Sequence, residues 1–149
     1  MSIQSAAKAL LEADATLLAA ATGGVYDFDE TGRLGLNPTL IPGAFDSTTG
    51  LIKPCVLLKL RSETPDGILQ DDAEQTASIS AMLEVWCYQH SGYTTIETLR
   101  DRVYVLLQSK QFGGAFLCRW AGNLRGPRDD AMDAAWERSE YQVRALKSV

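Results

Sequence analysis

The sequence predicts an α+β fold: a mostly antiparallel β-sheet with an N-terminal helix and one long amphipathic helix packed on one face. Three features carry this. Between residues 79 and 88, Ile79, Ala81, Leu83, Val85 and Cys87 alternate with Ser80, Met82, Glu84, Trp86 and Tyr88, the period of a strand with a buried face. Ile96, Leu99, Val103, Leu106 and Leu107 then recur at helical spacing and form one apolar stripe. Two further period-two runs close the chain, at 115–125 and 136–146.

Residues 2–22 read as helical. Ile3, Ala7, Leu10 and Leu11 make one stripe, continued by Leu17, Leu18 and Ala21. Asp14 falls on the apolar side at the join. It is therefore expected to N-cap a second short helix, with a bend between the two. Gly23-Gly24 ends that helix, the first glycine in the left-handed position, and Val25-Tyr26-Asp27 begins an extended segment. Residues 28–53 contain Gly32, Gly35, Pro38, Pro42, Gly43 and Gly50, so no long helix fits. They also carry Leu34, Leu36, Leu40, Ile41, Phe45, Leu51 and Ile52. Such a stretch either folds back as irregular structure over the core or forms an arm that docks on a neighbouring subunit.

Residues 55–61 read as a strand. Residues 62–75, with Pro65-Asp66-Gly67, Asp71, Asp72 and Glu74, read as a polar connection that makes a long hairpin with the strand at 79. The second face of that strand carries Met82, Trp86 and Tyr88, so something is expected to cover it. Gln89-His90-Ser91-Gly92 is a polar turn. Thr94-Thr95-Ile96-Glu97 fits a capping box, with Thr94 as N-cap of the long helix. Glu97 and Asp101 are a like-charge pair one turn apart, so packing rather than surface ion pairs is expected to hold this helix. Gln111-Phe112-Gly113-Gly114 stops the following chain. Phe116, Cys118 and Trp120 then alternate with Leu117 and Arg119, a turn covers 126–130, and the last strand follows.

Composition places limits on function. The chain has 149 residues and reads as one domain, 1–149, long enough to bury a core without disulfides or metal. A net charge of −5 argues against general binding to nucleic-acid backbones. No apolar run is long enough to span a bilayer, and no signal peptide is read. Cys55, Cys87 and Cys118 are odd in number and widely spaced, and His90 is the single histidine. Three buried thiols, no metal and no cofactor are therefore expected, in a cytosolic setting.

Catalytic signatures are sparse. Gly23-Gly24 and Gly113-Gly114 lack the strand–glycine–helix context of a phosphate loop, and there is no nucleophile elbow or histidine-based triad. The pairs Asp71/Asp72 and Asp129/Asp130 lie in turns, and His90 reads as a surface turn residue. No catalytic residue is assigned and no enzyme is expected. Arg119, Arg125, Arg128, Arg138 and Arg144 are interleaved with Asp129, Asp130, Asp133, Glu137 and Glu140 at the end of the chain. This is either a mixed-charge hairpin surface or a docking surface whose charges set subunit orientation. The strand aromatics Trp86, Tyr88, Trp120, Trp136 and Tyr141 divide between core and interface.

The run Leu10-Leu11-Glu12-Ala13-Asp14, the Leu17-Leu18 turn and Gly23-Gly24-Val25-Tyr26 resemble the opening of tail terminator and tail-completion proteins of tailed bacteriophages. Glu84-Val85-Trp86-Cys87-Tyr88, a short turn and residues 93–107 are similar to that family's strand-to-helix centre. Glu137-Arg138-Ser139-Glu140-Tyr141-Gln142-Val143 resembles its last strand. The resemblance runs through most of the chain in order, although residues 28–53 exceed the family's shorter loop. It implies a structural virion protein at the neck end of the tail, assembled in the host cytoplasm. Such proteins form a ring, usually a hexamer, that caps the tail tube, ends its elongation and meets the head-side connector. DNA passes through the lumen without sequence-specific binding.

On this reading the interface residues are Asp66, Asp71, Asp72, Trp86, Tyr88, Arg125, Arg128, Trp136 and Arg138. The partners are further copies of the chain, the tail tube protein and the head-side connector, with no membrane. Another head–tail joining or neck protein of the virion is the neighbouring alternative. A small cytosolic enzyme or ligand-binding domain is the third, and it predicts a polar pocket.

Overall fold

A computed structural model describes the backbone of residues 2–71 and 74–148 and the side chains of 2–65 and 78–146. Helix α1 spans Ile3–Glu12 and α2 spans Ala15–Ala20. Strand β1 is Gly24–Asp27, followed by the short helix α3, Phe28–Thr31, and single helical turns at Gly32–Leu34 and Pro42–Ala44. Then come β2 (Cys55–Asp71), β3 (Glu74–Gln89), α4 (Thr94–Leu107), β4 (Ala115–Arg125) and β5 (Ala135–Ser148). The strands form one five-stranded sheet in the order β1-β2-β3-β5-β4. Only β1 and β2 pair in parallel; the other neighbours are antiparallel. The α+β class expected from the sequence is the class observed.

Strand parity sorts the sheet into two faces. On one, Val56, Leu58, Leu83, Val85, Cys87, Tyr141 and Val143 pack with Ile3, Leu11 and Leu17 of the N-terminal helices and Ile96, Leu99, Val103 and Leu107 of α4. On the other, Cys55, Leu57 and Tyr88 pack with Leu36, Ile41, Ala44, Phe45 and Ile52. Residues 28–53 therefore fold back over their own sheet. Parallel neighbours cannot be joined by a hairpin, so the chain must leave the sheet between β1 and β2 and cross a face. The helices occupy one face, and the crossover covers part of the other.

Asp14 caps α2 as expected, its carboxylate accepting from the Leu17 amide at 2.7 Å. It also receives Arg102 of α4 in a two-pronged pair at 3.0 and 2.6 Å, so one side chain starts α2 and fastens it to α4.

Other local expectations need correction. The left-handed glycine after α2 is Gly24 (φ +95°), not Gly23. The expected capping box at Thr94 is absent. Tyr93 holds the N-cap position without a side-chain bond, and Gln89 from the end of β3 accepts from the Ile96 amide at 2.9 Å. The box occurs instead at α3, where Asp27 and Glu30 bond each other's backbone amides at 3.1 and 2.9 Å. The long hairpin is present, but residues 62–71 and 74–75 are strand rather than connection: β2 continues to Asp71 and pairs with β3 from Glu74, with bulges at Leu60/Ser62 and Pro65/Gly67 that absorb the proline. In β4 the alternation breaks at bulges between Ala115/Leu117 and Trp120/Gly122. Cys118 is buried, but Phe116 and Trp120 are exposed.

Two outcomes follow from this packing. Phe45→Ala is expected to destabilise the monomer by about 3–5 kcal/mol in urea unfolding, the cost of emptying a buried aromatic site. A change below about 1 kcal/mol would mean that the crossover does not belong to this core. The second concerns pH. Arg102 and the Leu17 amide hold the Asp14 carboxyl below the ordinary carboxylate range. A depressed folded-state value contributes stability above the unfolded value of about 3.9, lost as pH falls through the folded value. Asp14→Asn is therefore expected to melt below wild type at neutral pH, with the gap closing in acid; a constant gap would contradict the assignment.

Candidate functional site

The proposed interface residues fall into four places. Trp86, Trp136 and Arg138 meet on the face opposite the helices. The two indole rings lie 4.8 Å apart, and the Arg138 guanidinium sits 5.4 Å from the Trp86 ring centre. Gly126 at the start of the β4–β5 turn is required there, because a Cβ would lie 1.8 Å from the Trp136 ring. Tyr88 stacks beside Trp86 at 6.3 Å but is buried under the crossover, so within this fold it is a core ring. Arg125 lies on the helix face and Arg128 in the β4–β5 turn. The backbone positions of Asp66 and Asp71 fall in β2. Their side chains, and Asp72 altogether, lie outside the described residues.

Trp86 and Arg138 border an ion network on the open half of that face. Glu84 of β3 and Glu140 of β5 are direct cross-strand partners. Two like charges so placed repel. Arg61 bridges them at 3.2 and 2.9 Å, and Arg138 adds contacts at 3.9 and 3.1 Å. The Trp86 indole donates to Glu84 at 3.2 Å. Glu84 is only 3% exposed, so these donors are what make its charge tolerable.

A second buried carboxylate, Glu137, is also 3% exposed and faces the helices. Arg100 of α4 reaches it at 3.1 Å and Arg125 of β4 at 2.9 Å. Arg125 also pairs with Glu97 at 2.6 Å and lies 4.2 Å from the Tyr93 ring centre. This ties the start of α4 to the end of β4. Arg128 pairs with Asp133 at 2.6 Å, and His90 Nδ1 lies 3.0 Å from the Asp133 carbonyl oxygen. Three local clamps therefore account for Arg125, Arg128 and Arg138.

Glu84 and Glu137 were not singled out as a pair from the sequence. The available signal was a glutamate in a buried strand position, with arginines on neighbouring elements. All three thiols are buried, and burial pushes Cys55 and Cys118 up to about 12 and raises Cys87 as well. Among the described residues, no helix is long and apolar enough to cross a membrane.

The two glutamates of β5 are expected to respond differently. Glu137→Gln leaves two arginines without their shared carboxylate and is expected to lower stability by about 1–3 kcal/mol. Glu140→Gln relieves the repulsion with Glu84 and is expected to stay within about 0.5 kcal/mol of wild type. Equal losses on urea unfolding would contradict this division.

No protein-family model matches this chain, and no curated protein sequence does. Among solved structures, the chain is similar to one in "Virion of native gene transfer agent (GTA) particle", with a TM-score of 0.61 at 17% identity. The likeness covers 98% of this chain and 96% of that one. At this identity it establishes a shared fold from end to end.

Proposed function

We propose that this chain is a structural, non-catalytic component of a phage-like virion. In this reading it assembles with copies of itself into a ring, six-fold by the family resemblance, that caps the tail tube and joins it to the head-side connector. The observation that carries the proposal is the end-to-end likeness to a chain from the gene transfer agent virion, taken with the tail terminator-like order of sequence segments. The electrostatics are compatible. A net charge of −5 suits a ring through which DNA slides without adhering.

The sheet also leaves surface for assembly. Strand β4 is an edge, with Leu117, Trp120 and Leu124 exposed. The face opposite the helices is covered only in part. The long β2–β3 hairpin, the crossover and the 126–133 turn are the proposed contacts with neighbours, tube or connector. A neck protein of the same virion is the nearest alternative, differing in whether it binds tube or connector.

The test is to polymerise the tail-tube protein of the same virion with and without this chain and to measure tube lengths by electron microscopy. Shorter tubes with density at one end are expected, and deletion of residues 64–74, the outer part of the β2–β3 ladder, is expected to weaken the effect, with a thermal melt to establish that the rest of the sheet folds. Tube lengths unchanged by wild type would overturn the capping role.

A further inference from the structure

A cleft of about 440 Å³ opens between α4 and β4, lined by Arg100, Asp101, Tyr104, Trp120, Asn123 and Tyr141. Its walls are aromatic. Tyr104 and Trp120 stand edge to face with ring centres 6.3 Å apart, and both are more than two-fifths exposed. Tyr141 lines it and is fully buried, yet its hydroxyl has no hydrogen-bond partner among the described residues. A buried hydroxyl in that state is uncommon in a folded protein.

The polar groups are mostly committed. Asn123 accepts from the Trp120 indole and the Ser139 hydroxyl, and Arg100 is paired with Glu137 and Asp101. What remains is acceptor capacity. The Asp101 side chain is 71% exposed and receives only Arg100, on one oxygen. The Tyr141 hydroxyl keeps its lone pairs. An exposed aromatic pair beside a carboxylate suits an organic cation. Asp101, Tyr104 and Val105 also share one outward stripe of α4, and Val105 is exposed. The cleft therefore has an apolar shoulder beside its cation-binding end.

At the other edge of the sheet the chain presents a matching shape. Helix α3 packs on β1 and β2 and leads into the turn Gly32–Leu34. Gly32 and Gly35 flank its tip with φ of +57° and +64° and ψ of −150° and −162°, a backbone region open to glycine alone. Between them Arg33 is exposed and forms no ion pair among the described residues. Leu34, at 75%, is the most exposed of the large apolar residues described. A cation and an apolar side chain stand side by side on a projecting turn.

We propose that the Arg33–Leu34 tip of one copy seats in the α4–β4 cleft of the next. Arg33 lies against the exposed side of the Tyr104–Trp120 pair, with its guanidinium on Asp101. Leu34 covers Val105. The proposal rests on the self-assembly reading above and names its contact. The sheet order puts tip and cleft at opposite edges, about 19 Å apart across four strand spacings. The contact is thus head-to-tail, the kind that generates a ring when its rotation closes.

Sedimentation of the purified full-length chain, with cysteine cross-linking, tests this. Arg33→Asp and Asp101→Arg are each expected to weaken association by about tenfold or more, and the two together to restore it. Leu34→Cys with Val105→Cys is expected to give cross-linked multimers between separately tagged copies. The native thiols are buried and do not compete. Thermal melts establish that each variant folds. Assembly unchanged in both single variants, with no cross-link, would overturn this contact while leaving self-assembly standing. A wild-type chain that stays monomeric at every concentration, alone and with tail-tube ends, together with no cross-link from the cysteine pair, would overturn both.

Discussion

The constraint on which the rest of this structure depends is that β3 is apolar on both faces. Leu83, Val85 and Cys87 point one way, and Trp86 and Tyr88 are of opposite parity. A central strand of this kind needs two covers. The helices provide one, with an apolar stripe on α4 and shorter ones on α1 and α2. No helix is left for the second. The parallel pairing of β1 with β2 resolves this, because it forces a crossover that carries Leu36, Ile41, Phe45 and Ile52 over the bare end of the sheet.

The charged groups follow from the same arrangement. Once the sheet is covered, Glu84 and Glu137 are buried on opposite faces, and each is held by arginines from other elements. Glu137 links α4, β5 and β4. Glu84 links β2, β3 and β5. Asp14 does similar work between α2 and α4. These clamps orient elements that apolar contact alone would leave free to slide. They also occupy Arg125 and Arg138, two of the arginines that sequence patterning offered as docking groups, which directs attention to the exposed groups at the two sheet edges.

Much of the fold was legible because the signals were periodic and local. The two-residue alternation of β3 and β5, the stripe of α4 and the Asp14 cap depend on neighbours within a few residues. The misreadings have a common cause. The 62–75 stretch carries Pro-Asp-Gly and three acids, the usual chemistry of a turn, but ladder pairing with β3 overrides it through two bulges. The bulge between Ala115 and Leu117 takes Phe116 out of the alternation, and a bulge leaves no local trace that alternation can detect; Trp120 keeps the parity of Cys118 and is exposed because it stands at the sheet edge beside Tyr104. Gln89 displaces Thr94 at the start of α4 because the turn brings the strand end beside the helix, a relation made by tertiary structure. Of the interface residues, the grouping of Trp86, Trp136 and Arg138 was readable from strand parity, whereas the burial of Tyr88 depends on where the crossover lands.

In the proposed function this chain works by joining copies of itself. The most direct measurement of this is the solution mass of the purified protein across a concentration range, alone and with tail-tube ends, by analytical ultracentrifugation. The account predicts a discrete closed multimer, formed either alone at high concentration or on the tube ends. A single-chain mass under every condition, unaffected by tubes, would contradict it.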